Sequence, residues 1–366
     1  MRVLVFSHEF PPALGGAGIV ARDYALQLSR DGHLVDVLTC NKSSTSIYDD
    51  KQGDNGFHLY QANVKGKFWF LSYRNAVDFS IYDHIILNDP GSIYTAGLFF
   101  SKEILSKSIC FLHGSEPELI YVKPSVLRRL TFFKFFYRRA LKESIRVVAV
   151  SEFMKNKFFR VESNYDIRNK VKVVRNSVDP DLFHPTPRGV LKEKFDLPLD
   201  CKILFSASRL IKEKGYDDLL QYFQALLKQD LRWHWVIAGD GDYFNVLKDK
   251  VTAMGLDHSI HFLGSVARER LKYYYSSADV FCLLSRMDES FGLVYEEARS
   301  CGCPSIAREQ LGVREAIIEG ISGALVSSEN EFLDAICYFS SEHFSREKML
   351  LHSRRQNYLL FDELFL

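Results

Sequence analysis

Two successive series of short β-branched or aromatic runs, each run followed by a longer stretch of helical periodicity, dominate this chain of 366 residues. Alternation of this kind builds parallel sheets covered by helices. The first series reads as strands over 2–7, 34–39, 84–88, 108–113, 146–150 and 171–175, with clear helical patterns over 18–29 and 124–142. The second reads as strands over 202–207, 233–238, 260–263, 280–284, 305–307 and 324–326. Residues 176–200 separate the two series and hold four of the ten prolines. Proline lacks the N–H that a sheet needs, so this stretch is a connection. The pattern predicts an α/β chain of two doubly wound, Rossmann-like domains, 1–185 and 186–345, facing each other with a ligand crevice at their strand C-termini.

Composition narrows the function classes. With 47 basic and 46 acidic side chains the net charge is +1, so overall charge argues for neither nucleic acid nor membrane, and any such signal must be local. The seven cysteines are odd in number and sit mostly in apolar runs, as buried thiols do. Cys301 and Cys303 form CxC without a second pair, which argues against zinc. The N-terminal apolar run is too short for a signal peptide. No segment nears the ~20 apolar residues that span a bilayer. A reduced, cytoplasmic location is expected.

The segment ESFGLVYEEARSCGCPSIA, residues 289–307, carries the most chemistry. A helix begun near Glu289 would place Glu289 and Glu297 on one face, since eight residues make a little over two turns. Phe291, Gly292 and Leu293 fall at the expected helix start, where free N–H groups point outward. Paired carboxylates beside an anion-ready helix start suit a ligand bearing both hydroxyls and phosphates, such as a nucleotide-sugar.

Other strand ends add to this. Gly15 and Gly16, with Gly18, open the helix after the first strand and let the backbone approach a ligand. The loop has neither GxGxxG nor the GK[ST] of a P-loop, and no acid ends the second strand, which disfavours a dinucleotide dehydrogenase. His113 closes an apolar strand, where it could bond a sugar hydroxyl. Glu116 and Glu118 are weaker candidates that could simply begin the next helix. Arg209 and Lys214 follow the first strand of the second series and suit a diphosphate. Gly239 and Gly264 mark further strand–loop turns open to a base or ribose.

Taken in order, FSHEFPPALGGAG, VVAVSEFMKN, VVRNSVD, ASRLIKEKG, VIAGDGD, IHFLGSV, YYSSADVFCLLS, the 289–307 segment and GVREAIIEGISGALV resemble the retaining glycosyltransferases of family 4, with the GT-B fold. The likeness covers roughly residues 1–330. It implies that Glu289 binds donor-sugar hydroxyls near the reacting carbon and Glu297 the ribose. It further implies that Arg209 and Lys214 hold the diphosphate, that His113 lies beside the donor sugar, and that the Gly15–Gly16 loop completes the phosphate or acceptor side. The implied donor is a UDP- or GDP-linked sugar, used with retention and with no metal or other cofactor. Ser177 stands where the family has glycine in PNGVD. The fold also implies that the tail, 346–366, packs back on the first domain.

Residues 123–146 hold eight basic side chains against one acid, interleaved with four phenylalanines and a tyrosine. This composition suits an anionic membrane surface or a lipid-linked glycan acceptor, with the enzyme peripheral at the inner membrane face. The rival readings are a nucleotide-sugar epimerase of the same architecture, which needs no acceptor, and a non-catalytic nucleotide-binding module.

Overall fold

The structure is a computed structural model that describes residues 1–11, 15–40, 56–64, 66–353 and 361–365. The chain forms two units, Met1–Asn176 with Leu359–Leu366, and Ser177–Tyr358. The division falls within the proline-containing connection, upstream of Pro185.

The first unit is built on seven parallel strands: β1 (Arg2–Phe6), β2 (Leu34–Cys40), β3 (His58–Ala62), β4 (His84–Leu87), β5 (Ser108–Leu112), β6 (Arg146–Ala149) and β7 (Val171–Val173). Their order is β3-β2-β1-β4-β5-β6-β7. Val3 to Phe6 of β1 and Ile109 to Leu112 of β5 are buried without alternation, as expected of strands covered on both faces. The order reverses beside β1: the chain runs outward from β1 through β2 to β3, then returns to β4 on the other side. Loops leaving β1 and β4 therefore diverge and open a crevice at their C-terminal ends.

The second unit repeats the plan with six strands, β8 (Lys202–Ala207), β9 (Trp233–Ala238), β10 (Ile260–Gly264), β11 (Val280–Leu283), β12 (Ser305–Arg308) and β13 (Gly323–Val326), in the order β10-β9-β8-β11-β12-β13. Its switch point lies between β8 and β11. Each unit has its own apolar core.

The helices used below are α1 (Gly16–Arg30), α2 (Pro90–Phe99), α3 (Val126–Leu130), α4 (Phe133–Glu143), α5 (Tyr216–Gln229), α6 (Arg268–Ser277), α7 (Leu293–Ser300) and α8 (Phe361–Phe365).

Three features depart from the sequence reading. Strand β3 is an edge strand whose residues HLYQA are largely half-exposed, so it carries no apolar run to announce it. The single helix expected over 124–142 is two, α3 and α4, broken at Phe132, which takes a left-handed backbone (φ 50°). Past the break, the Phe133 ring stacks on Tyr94 at 4.1 Å. Finally, the tail does not act as one piece. Arg346 donates to the Gly302 and Ala278 carbonyls of the second unit, at 2.9 and 2.8 Å. The short α8 instead packs on the first unit, with Phe361 against Tyr24 and Phe365 stacked on His84 at 4.3 Å.

Candidate active site

In the second unit two of the candidate side chains, Lys214 and Glu289, meet at the loops that leave the switch-point strands. After β8 the chain passes Ser208 to Ile211, makes one turn over Lys212–Lys214 and enters α5 through Gly215. Gly215 has a positive φ (77°), and a Cβ there would fall on the carbonyl oxygen of Leu284, at the end of β11. Only glycine lets the two loops approach this closely. The approach puts Lys214 Nζ 2.6 Å from a Glu289 carboxylate oxygen. Both side chains keep about a fifth of their surface in solvent, at 17 and 21%.

This placement corrects the helical-face reading of Glu289. Helix α7 begins only at Leu293, after Gly292 in a left-handed conformation (φ 86°), and Glu289 precedes it in the loop. Phe291 is buried and anchors that loop. Glu289 therefore lies in the loop beside Lys214, whereas Glu297 lies on α7.

Glu297 is buried and held from two sides. The Tyr275 hydroxyl donates to one carboxylate oxygen at 3.1 Å, and Arg268 pairs with the other at 3.2 Å. The neighbouring Glu296 is a structural residue: it faces inward and pairs with the buried Arg299, whose Nε lies 3.0 Å away. Sequence spacing alone does not tell Glu296 from Glu297. Arg209 lies on the exposed loop after β8 and forms no ion pair among the described residues. Gly239 and Gly264 come together at the ends of β9 and β10, where the Gly239 N–H donates to the Gly264 carbonyl at 2.8 Å. The loops and helix starts after the strands of the second unit thus carry two cations, Arg209 and Lys214, the part-exposed Glu289 and, from α7, the buried Glu297.

In the first unit, Gly15 caps α1 in extended conformation and Gly16 is its exposed first residue. His113 follows β5, and its Nε2 lies 3.0 Å from Asn88 Oδ1. Asn88 in turn donates to Ser7 Oγ and to the Ala17 carbonyl in α1, at 3.0 and 2.9 Å. His113 is thereby tied to the glycine-loop helix through a strand-end asparagine. Burial pushes its imidazole down to about 4, against an opposing pull from Asp89. Near pH 7 His113 is neutral. Asn88 turns its amide nitrogen to Ser7 and Ala17, so its Oδ1 accepts from the His113 Nε2–H, and the remaining ring nitrogen, Nδ1, can accept a hydrogen bond from a hydroxyl.

Glu116 is buried beneath this loop and accepts from the His113 and Gly114 N–H groups at 2.8 and 2.6 Å. That spends the carboxylate on loop geometry. Glu118 pairs with Lys157 at 3.2 Å.

Sequence reasoning missed Arg268, Tyr275, Asn88 and Asp89. Asn88-Asp89, two polar residues ending an apolar strand and preceding a proline, were a visible signal. Asp89 caps α2 by accepting from the Ser92 N–H at 2.8 Å, and also accepts from Ser7 and from the Glu9 N–H.

The basic segment is divided by its bonding. Arg138 makes a two-point ion pair with buried Glu162, at 2.7 and 2.9 Å, and Arg139 donates to the Gly97 and Phe100 carbonyls. Lys142 pairs with Asp166 at 3.2 Å. Arg138 and Arg139 fasten α4 to the fold, and the Lys142–Asp166 pair lies at the surface. Arg128 is half-buried and donates to the Leu119 carbonyl at 3.4 Å, whereas Lys123, Arg129 and Lys134 face solvent.

Comparison with known proteins matches residues 14–182 to the family described as Glycosyltransferase Family 4 and residues 188–354 to Glycosyl transferases group 1. An alpha-monoglucosyldiacylglycerol synthase of Streptococcus pneumoniae is 24% identical over 350 residues, 92% of this chain and 77% of that protein. Among solved structures, a sucrose-phosphate synthase from Thermosynechococcus elongatus matches with a TM-score of 0.79 at 19% identity, over 100% of this chain and 98% of that one. Anabaena HepE, in complex with UDP and glucose, matches with a TM-score of 0.75 at 19% identity, over 98% and 95%.

Proposed function

This chain belongs to the family 4 glycosyltransferases of the GT-B fold, and from that premise we propose that it transfers a hexose-like unit, with retention, from a UDP- or GDP-linked sugar to a glycan or lipid-linked glycan in cell-surface polysaccharide synthesis. The observation that carries this reading is the Lys214–Glu289 pair across the switch point of the second unit. It supplies a cation suited to the charge that gathers on a diphosphate and, beside it, a carboxylate suited to sugar hydroxyls.

In this mechanism the bond between the anomeric carbon and the diphosphate oxygen breaks, and its electron pair leaves with the diphosphate. Arg209 and Lys214 stabilise that growing charge, so the leaving group needs no metal. The acceptor hydroxyl oxygen bonds to the anomeric carbon on the face just vacated, and its proton passes to the departing phosphate oxygen. Glu289 orients the sugar, and Glu297, fixed by Tyr275 and Arg268, accepts from the ribose hydroxyls. The N–H groups of Leu293 and its neighbours at the start of α7, together with the Gly239 and Gly264 backbone, complete the donor site.

On the first unit, neutral His113 bonds a sugar hydroxyl and the Gly15–Gly16 loop borders the phosphate or acceptor. The HepE complex with UDP and glucose supports a nucleotide-sugar donor, and the diacylglycerol-linked product in the Streptococcus relative's name supports a lipid-linked acceptor. No described helix is long and apolar enough to cross a membrane. The solvent-facing cations of residues 123–146 would dock a cytoplasmic enzyme on an anionic inner surface.

The test is a thermal-shift screen with UDP, GDP and their sugars in chelator, followed by NMR assignment of the product anomer. A shift for one base and an α-linked product from an α-linked donor are expected. Inversion, or interconversion of the donor sugar without acceptor, would overturn the reading.

A further inference from the structure

The first unit holds two neighbouring cavities that share a wall. One, of about 410 Å³, is lined by His8, Glu9, Lys67, Trp69, Asp89 and Ser115 among others, at the C-terminal ends of β1, β4 and β5. The other, of about 510 Å³, is lined by Ile120, Tyr121, Arg129, Phe132, Lys134 and Phe135 among others. Arg128 and Phe133 line both.

An aromatic path joins them. The His8 and Trp69 rings lie 4.5 Å apart, Trp69 and Tyr94 6.3 Å, and Tyr94 stacks on Phe133 at 4.1 Å. The Arg128 guanidinium then caps Phe133 at 5.6 Å. Around the second cavity the surface is unusually apolar: Val122, Val126, Leu130, Phe132 and Phe135 are each more than half exposed. Large apolar side chains so concentrated mark a binding surface. Lys123, Arg129 and Lys134 stand among them, which selects a partner both apolar and negatively charged.

We propose that the two cavities form one seat for an anionic lipid that carries the acceptor hydroxyl. This rests on the acceptor reading above and narrows it to a lipid with a phosphate-bearing headgroup. The acyl chains meet the apolar face of α3 and its flanks. The phosphate lies at the shared wall on Arg128, with Lys67 at the rim of the inner cavity. The sugar or polyol part of the headgroup enters the inner cavity and lies against Trp69, whose face suits the C–H surface of a ring polyol. Arg128 suits the phosphate because its fork binds two oxygens at once, and its position over Phe133 holds that fork in place.

The experiment measures co-sedimentation of the full chain with vesicles of phosphatidylcholine alone and with one third phosphatidylinositol, with sn-glycerol 3-phosphate as a soluble competitor. Binding to the anionic vesicles only is expected. It should weaken about tenfold in Arg128→Gln and in the double variant Phe132→Ser, Phe135→Ser, and stay unchanged in Lys228→Gln, a charge-matched change on the second unit. Trp69→Ala should lower transfer to the vesicle lipid more than it lowers sedimentation. Equal binding to neutral vesicles overturns the proposal, as does Arg128→Gln binding like the wild type. Millimolar glycerol phosphate displacing the vesicles overturns it in favour of a soluble phosphorylated acceptor. The UDP-induced thermal shift, recorded on every variant, reports the fold and the donor site. Vesicle binding without any nucleotide shift would sink the donor reading and leave the lipid seat standing, whereas the reverse result would sink the seat alone.

Discussion

Lys214 and Glu289 form an ion pair at 2.6 Å although 75 residues separate them, and the strands they follow, β8 and β11, are the two between which the second sheet reverses its order. Each side chain thus leaves the sheet at the switch point, and Gly215 brings the two loops into contact. The pair is only part-buried, so its net contribution to stability is small, about 1 kcal/mol or less after screening. Its arrangement makes more sense as a poised site: a diphosphate can take over the lysine, and a sugar hydroxyl the carboxylate.

Lys214→Ala should therefore separate activity from stability. Turnover is expected to fall ~100- to 1000-fold, the usual effect of removing one preorganised group from a developing anion, while the denaturant midpoint barely moves. Steady-state kinetics and urea unfolding on the same preparation check this. A large loss of stability with modest loss of turnover would make the pair a structural bridge. Glu289→Gln should lower kcat more than it raises KM for the donor, since its contact lies near the reacting carbon.

Gly215→Ala tests how the loops meet. The new methyl would clash with the Leu284 carbonyl and force a left-handed backbone on alanine, a strain of order 1–3 kcal/mol. Relief requires the loops to part, which carries Lys214 away from Glu289. Turnover should drop at least tenfold together with a lower melting temperature, whereas Gly16→Ala, where a Cβ meets nothing within 4 Å, should leave the melting temperature unchanged.

Much of this architecture was legible before any coordinates. Strands 202–207 and 233–238 are legible to their ends because each is a short run rich in apolar residues, KILFSA and WHWVIA, bounded by polar turns, and a strand covered on both faces leaves that trace. Strand β3 left none, since an edge strand with half-exposed side chains looks like a loop. The break at Phe132 was equally silent, because the local sequence is helical on both sides. Spacing also proposes Glu289 and Glu297 on one helical face, which misplaces Glu289: a helical count cannot see that Gly292 starts the helix late. Nor could it show that Arg138 and Arg139, two of the cations that make residues 123–146 look membrane-seeking, face protein partners. Pairings between residues distant in sequence have no local signature.

Arg138 yields a sharp contrast within that segment. The Glu162 side chain is 1% exposed. Burial pushes its carboxyl up, but Arg138, the Asn164 N–H and the Tyr121 hydroxyl outweigh that and hold it below the usual range. Arg138→Ala leaves this charge uncompensated. The expected cost is roughly 2–3 kcal/mol, below the ~3–5 kcal/mol of fully buried pairs because Arg138 keeps part of its hydration. Arg129→Ala should cost less than ~0.5 kcal/mol, as a solvent-facing side chain does. Urea unfolding of the two variants distinguishes them, and equal midpoints would refute the division of the segment into structural and solvent-facing cations.

His113 gives the pH dependence its sign. Its folded-state value of about 4 lies below the ordinary histidine value of 6.5, chiefly because burial disfavours the imidazolium. Between these two values the unfolded chain binds a proton that the folded chain refuses, so unfolding gains as pH falls. The stability contributed by neutral His113 is fully present above about pH 6.5 and is lost progressively down to about pH 4. His261, also pushed down to about 4 by burial and by its neighbours His234 and His258, acts in the same direction. The wild type should therefore lose stability steeply over this window, and His113→Gln should make the slope shallower without abolishing it. Urea midpoints at pH 7.5, 6, 5 and 4.5 for both proteins provide the measurement. Parallel profiles would mean that His113 is protonated as readily in the folded protein as in the unfolded one, and would remove the neutral imidazole from its assigned role beside the sugar.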